Sequence, residues 1–287
     1  MPISRTAPVY SLKYWGNRNT LEVQVSPRKN IAAFTDRAGR HENQDGLLVH
    51  LNQRKVLAVA DGMGGRPSGA IASQTALETV EQAILKNEPM DITVPKAHLN
   101  IRNAGLKDHE LTGMGTTLLV AEIEGNLAHI FSVGDSRAYL IRPTGEIGLL
   151  SVDQNVAGEV YESEVRPVLT FPLREVGEYY TYVRNFPHMR RKYSGNELYS
   201  GLGLHEMEIV DSLTRLEAGD RLLLTTDGLN YLPYNIFAYT MQEMLPLEET
   251  AVKLAQSSLR IMQEQMLRRD AIGDNITLIL YEHQPEN

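Results

Sequence analysis

The stretch Val56-Leu57-Ala58-Val59-Ala60-Asp61-Gly62-Met63-Gly64-Gly65 constrains this chain more than any other. Its apolar residues run without a polar interruption, which is the pattern of a strand buried on both faces. An aspartate follows, and then a run that is almost all glycine. Such a strand carries Asp61 out of the core at its tip, and the glycines let the backbone turn sharply or approach a neighbour closely. A carboxylate there, beside a backbone carbonyl with little side-chain bulk around it, suits a hard cation. Asp-Gly is also among the commonest turn dipeptides, so a plain turn is the competing reading. Two nucleotide-binding readings fail. A dinucleotide fingerprint needs glycine where Pro67 stands, and Gly69 is followed by Ala70 and Ile71, not by the Lys-Ser/Thr of a P-loop.

The 287 residues are 42% hydrophobic, enough for a real core, and no linker or repeat divides them, so one domain over 1–287 is expected. A formal net charge of −8 argues against non-specific nucleic-acid binding and against a polybasic membrane surface. The absence of cysteine excludes disulfides, thiolate zinc sites and a cysteine nucleophile. No apolar h-region opens the chain and no run is long enough to span a bilayer, so a cytoplasmic monomer is expected.

Residues 1–29 are weakly patterned, with an alternating edge strand at Leu21–Val25. A short apolar strand, Ile31–Thr35, leads into the polar loop Asp36–Gly46, and a hairpin at Asn52–Lys55 joins strand Leu47–Leu51 to the central strand. Ser68–Leu85 reads as an amphipathic helix and Pro95–His109 as a poorer one. Strands follow at Thr116–Ile123, Leu127–Val133 and Ala138–Arg142, the last two separated by Gly134-Asp135-Ser136-Arg137; their tight turns indicate antiparallel sheet. Periodicity is lost over 151–204, which is rich in Tyr, Arg, Pro and Gly and reads as a long excursion from the domain. Glu208–Leu213 and Arg221–Thr226 are strands, the second delivering Asp227-Gly228 at its tip. Helix Glu248–Arg268 and strand Ile276–Tyr281, preceded by Asp274, complete the chain.

Asp45, Asp61, Asp227 and Asp274 thus lie at strand ends, with Asp135 in a turn, and antiparallel pairing can bring them to one edge. Converging carboxylates raise one another's pKa unless a cation sits among them. Oxygen ligands without cysteine or a histidine pair favour magnesium or manganese. Arg40 has the planar fork of a phosphate clamp, with a surface ion pair as the lesser alternative. Asp135 could instead pair with Arg137 or cap its turn, and Asp36 reads as structural. Two bridged cations would generate hydroxide near neutral pH for in-line attack on phosphorus, with Arg40 offsetting the developing charge.

Six motifs stand in order: Asp36-x-x-Gly39-Arg40-x-x-Asn43-Gln44-Asp45; Ala58-Val59-Ala60-Asp61-Gly62-Met63-Gly64-Gly65; Met114-Gly115-Thr116-Thr117; Val133-Gly134-Asp135-Ser136-Arg137; Thr225-Thr226-Asp227-Gly228-Leu229; and Gly273-Asp274-Asn275-Ile276-Thr277. On these the chain resembles the PPM-type, metal-dependent protein serine/threonine phosphatases (type 2C protein phosphatases) in their bacterial form. The resemblance implies an α+β fold: a central β-sandwich of two antiparallel sheets flanked by helices. It implies Asp61 bridging two Mn2+ or Mg2+ ions, the Gly62 carbonyl on the first, Asp227 and Asp274 on the second, and Asp45 as a ligand or a support to one. Arg40 would hold the phosphate, Asp135 with Asp227 would form a weaker third site, and 151–204 would be the flap that gates phosphorylated protein substrates. Three positions depart from the family pattern. Gln44 stands for a ligating Glu of animal members, Met63 for a histidine proposed as general acid, and Asp153-Gln154-Asn155 for Asp-His-Ser. A non-catalytic pseudophosphatase that binds phosphoproteins or acts as a sensor is the alternative. Arg190-Arg191-Lys192 is a candidate contact for an acidic phosphosubstrate.

Overall fold

The structure is a computed structural model that describes the chain except residues 1–9, 16–19, 29, 53, 64–67, 156–157, 159–197, 269–272 and 285–287. Its strands form two antiparallel sheets. The first has the order β1 (Tyr10–Tyr14), β4 (Asp45–Leu51), β5 (Lys55–Met63), β7 (Leu118–Glu124), β8 (Leu127–Val133) and β11 (Val210–Arg215), with the short β6 (Gly115–Thr116) paired to the tip of β5. The second runs β10 (Ile147–Leu149), β9 (Arg137–Ile141), β12 (Arg221–Thr225), β13 (Ile276–Glu282), β3 (Ile31–Asp36) and β2 (Thr20–Val25). The helices are α1 (Ser68–Lys86), α2 (Met90–Lys107), α3 (Tyr234–Gln242) and α4 (Leu247–Leu267).

Side-chain alternation explains why the strands read as unbroken apolar runs. Leu47, Val49, Leu57 and Val59 of the first sheet meet Ala33, Leu222, Leu224 and Ile279 of the second in a core between the sheets. The alternate residues Leu48, Val56, Ala58 and Ala60 pack outward against Ala72, Ala76 and Val80 of α1 and Val94, Ala97 and Ile101 of α2. On the other side Phe34, Leu223, Leu278 and Leu280 meet Phe237 and Met241 of α3 and Leu254, Ala255 and Met262 of α4. Helices, sheet, sheet and helices therefore form four layers, and both faces of every central strand must be apolar. Each fully buried leucine or valine contributes roughly 1.5–3 kcal/mol.

Several element boundaries differ from the sequence reading. The second helix begins at Met90, with Pro95 inside it. The proline forfeits only one backbone bond near the helix start, while Met90, Val94, Ala97 and Ile101 are all buried. The run expected over Thr116–Ile123 divides at Thr117 into β6 and β7, and β11 lies two residues later than expected. Asp45 is the first residue of β4, not a residue before it, and Asp227-Gly228, just past the tip of β12, opens a 3-10 helix, Asp227–Tyr231. Strands β1 and β10 and helix α3 carried too few periodic positions to be foreseen. Most of the 151–204 excursion, with Arg190-Arg191-Lys192, lies outside the described residues, as do Gly64 and Gly65.

One end of the sandwich collects the polar motifs. The chain crosses between sheets there from β3 to β4 and from β8 to β9, among other places. β5 and β12 end at the same place and β13 begins there.

Candidate metal centre

The register of the first sheet sets Asp45 directly opposite Asp61. Asp61 is held by its own backbone. Its N–H donates to Thr117 Oγ1 at 2.9 Å, and its carbonyl accepts from Thr117 N at 2.9 Å and Thr116 Oγ1 at 2.9 Å. Thr117 Oγ1 also lies 2.8 Å from Ser136 Oγ, beside Asp135. Across the sandwich, Thr226 Oγ1 donates to Asp45 Oδ2 at 2.8 Å, so the residue preceding Asp227 reaches over to the other sheet. Asn275 staples the β3–β4 loop to the start of β13: its Oδ1 accepts from Gln44 N at 2.9 Å, and its Nδ2 donates to the Arg37 and Glu42 carbonyls at 3.0 and 2.9 Å. Asp36 accepts from Ala38 N, the local structural role expected of it.

The two Asp-Gly glycines are not there for a turn. Neither Gly62 nor Gly228 has a positive φ. A Cβ on Gly62 would stand 2.2 Å from the Gly69 carbonyl oxygen at the start of α1, and one on Gly228 only 1.8 Å from the Asn275 carbonyl oxygen. Bare backbone lets α1 and the Asp227 helix close on the site, and the Gly62 carbonyl shares the Gly69 face with Gln44 Oε1.

Asp45 and Asp135 are buried, while Asp61 and Asp227 keep part of their surface open. Burial is the main force on all four acids. It pushes Asp45 up to about 8, with the charges of Asp274 and Asp227 adding to it and the hydroxyls of Thr277 and Thr226 opposing it. Asp61 is held well above the usual carboxylate range by burial and then by Asp45, Asp274 and Asp135. Asp227 is raised likewise by burial, then by Asp274, Asp61 and Asp135. Asp135 rises to about 6 through burial and Asp153, countered by a hydrogen bond from Asn155 Nδ2 at 3.1 Å and by Arg137.

Arg40 stands at the rim, half-exposed. Its Nε and Nη2 donate to the two oxygens of Asp274, each at 3.1 Å. Burial alone would lower its pKa, but Asp274 and the charges of Asp61 and Asp227 raise it. The fork expected on phosphate is thus an ion pair with a predicted ligand. Arg137 is bidentate to Asp153 and reaches Asn230 Oδ1 at 2.8 Å, so it ties the Asp135 turn to the Asp227 helix. Gln154 brackets Gly134: its backbone N–H donates to the Gly134 carbonyl at 3.1 Å, and its Oε1 accepts from Gly134 N at 2.7 Å.

The donor chemistry fits a hard divalent cation. Every side-chain donor in the cluster is a carboxylate oxygen, and among the described residues Asp45 Oδ1 and Asp227 Oδ1 are buried without a hydrogen-bond partner. Among those residues no trio of acidic or histidine side chains is already closed into a coordination cage. Sequence reasoning gave roles to the acids but none to Thr117, Thr226, Asn275 or Asp153, although each stands in a segment it quoted; their signal was a polar side chain at the end of an otherwise buried strand or loop.

A family model described as Protein phosphatase 2C matches residues 37–271. The chain belongs to the protein phosphatase 2C family. It is 29% identical over 260 residues to the serine/threonine protein phosphatase PstP of Mycobacterium tuberculosis, covering 87% of this chain and 44% of PstP. This chain thus spans less than half of that relative's length. It is 28% identical over 268 residues to the serine/threonine phosphatase stp of Listeria monocytogenes, covering 86% of this chain and 93% of that one. Among solved structures, the PstP catalytic domain in complex with two manganese ions matches at 25% identity and a TM-score of 0.66, over 88% of this chain and 96% of that one. Stp1 of Staphylococcus aureus matches at 21% identity and a TM-score of 0.69, over 94% and 100%. The four-layer sandwich is the family's fold, and among the described residues no helix is long and apolar enough to cross a membrane.

Proposed function

We propose that this family member hydrolyses phosphoserine and phosphothreonine in proteins with Mn2+ or Mg2+ held by Asp61, the Gly62 carbonyl, Asp227 and Asp274, with Asp45 beside them and Asp135 at a weaker third position. The observation that carries the reading is the set of interacting, largely buried aspartates with partnerless oxygens on Asp45 and Asp227. Such a cluster is unfavourable unless it is protonated or neutralised by a cation. Bound divalent cations would supply a water acidic enough to ionise near neutral pH and would offset charge on the phosphoryl oxygens.

The protein's own part is positioning. Thr117 anchors the Asp61 backbone within the first sheet, and Thr226 reaches from the second sheet to Asp45. Arg40, whose Nε and Nη2 pair with Asp274, has the two parallel N–H groups that would hold the phosphate once a cation engaged that carboxylate. Met63 has no proton to give, so the leaving alkoxide takes its proton from water or from the substrate.

The test is hydrolysis of a small aryl phosphate and of a phosphothreonine peptide by the purified chain, with manganese, with magnesium and with chelator, beside Asp61→Asn. Cation-dependent turnover that falls by at least about a hundredfold in Asp61→Asn is expected. A folded chain that binds manganese and phosphopeptide but turns over neither substrate would instead be the pseudophosphatase.

A further inference from the structure

The two loops that carry Arg40 and Asp274 rest on sulfur. Helix α4 presents Met262 and Met266 to them one turn apart. The backbone N–H of Asp274 donates to Met262 Sδ at 3.2 Å. Met266 Sδ fills the space that two missing side chains leave, since a Cβ on Gly39 or on Gly273 would lie 2.7 or 2.6 Å from it. The same Cβ on Gly39 would be 2.7 Å from Gly273 Cα, so the two backbones and the sulfur are in mutual contact. Arg40 and Asp274 are the next residues along each strand of chain, and they are joined by the bidentate pair. Met266 therefore sets the separation of the two loops immediately behind that pair. Met262 is fully buried, whereas Met266 is only partly so, beside the exposed Leu267 at the end of α4. In a chain without cysteine, thioethers are the groups a peroxide meets first.

We propose that Met266 is an oxidation site through which hydroperoxides lower the activity of the centre. A sulfur lone pair attacks one peroxide oxygen, the O–O bond breaks and an S–O bond forms; the proton of the attacked oxygen passes to the departing one, which leaves as water from hydrogen peroxide or as an alcohol from an organic hydroperoxide, so sulfur is oxidised and the peroxide is reduced. The sulfoxide is polar and larger by one oxygen, and it sits where a bare sulfur touches two glycine backbones. Gly39 and Gly273 must part, and Arg40 and Asp274 part with them. A displacement of a fraction of an ångström to one ångström at a clamping or ligating group lowers turnover on the order of tenfold to a hundredfold.

The inference rests on the phosphatase reading, and the experiment separates the two. The full chain is treated with graded hydrogen peroxide and quenched, and the oxygen gained at each methionine is mapped by mass spectrometry. Manganese-dependent aryl phosphate turnover and amide exchange over residues 37–44 and 273–275 are followed in parallel. Met266→Leu keeps the volume of the side chain, Met63→Leu controls for the methionine next to Gly62, and methionine sulfoxide reductase reverses the lesion in the unsubstituted chain. Expected are loss of turnover and faster exchange in step with oxidation at Met266, protection in Met266→Leu but not in Met63→Leu, and recovery with the reductase. An unoxidised Met266, oxidation there without faster exchange, or equal loss in Met266→Leu would overturn the proposal. Untreated protein without turnover would overturn the functional reading alone, leaving exchange and reductase reversal to decide on Met266.

Discussion

At the scale of single residues, the glycines after the aspartates carry the clearest lesson. Asp-Gly reads as a turn in sequence, yet Gly62 and Gly228 are used for close approach, with φ in the ordinary region. Gly228→Ala sets a Cβ against the Asn275 carbonyl, backbone that cannot move without dragging Asp274. It is expected to lower stability by about 1–3 kcal/mol, read as a shift in the urea midpoint. Gly148→Ala is the control, because a Cβ there meets nothing within 4 Å and its φ is not positive; it should be neutral or slightly stabilising. The aspartates were legible because each stands where an apolar run starts or stops. Arg40 was legible as a charge but not in its partner, because an arginine's reach spans several alternatives until the loop carrying Asp274 is placed.

At the scale of elements, the Asp135 turn between β8 and β9 depends on a buried ion pair. Arg137 and Asp153 are both nearly sealed from solvent and meet through three contacts of 2.6 to 3.2 Å. The same arginine holds Asn230 in the helix that begins with Asp227. Asp153→Ala removes the bidentate acceptor and is expected to cost about 3–5 kcal/mol, again measurable by chemical denaturation. The conservative Asp153→Asn, which keeps an acceptor, should lose less. The sequence reading considered Arg137 as a partner for Asp135 and passed over Asp153, sixteen positions away. Spacing along a chain does not disclose which loop returns to cover a turn. Helix and strand runs did disclose themselves wherever an apolar stripe was long, as in α1, α4, β5 and β12, and failed where the element was short, as in β10 and α3.

At the scale of the whole molecule, the site is a charge problem that spans both sheets. Without a cation, the folded chain holds protons on Asp45, Asp61 and Asp227 that the unfolded chain releases above the ordinary carboxylate range. Where the folded state binds more protons, stability falls as pH rises. Chelated protein should therefore lose Tm between about pH 5 and about pH 8. Divalent cation should reverse the trend, because it binds the deprotonated ligands and its affinity grows with pH. At a hundred times its Kd a cation that binds only the folded chain adds about 2.7 kcal/mol. Thermal scans with chelator and with manganese at both pH values check this, and Asp61→Asn should lose most of the manganese shift. A chelated Tm that rises with pH would count against the cluster's protonated state.

By itself, the sequence determined the two-sided burial of the central strands, their antiparallel pairing and the identity of the acids, while the sandwich came only with the resemblance that the six motifs carry. The first three follow from unbroken apolar runs, tight turns and the few residue types that stand at the ends of buried strands. Only the tertiary structure decided which groups face one another: Asp45 against Asp61, Thr226 across to Asp45, Arg40 onto Asp274, Met266 beneath Gly39 and Gly273. These partners are up to 234 residues apart along the chain, and their meeting depends on sheet register and loop closure, which no local pattern encodes.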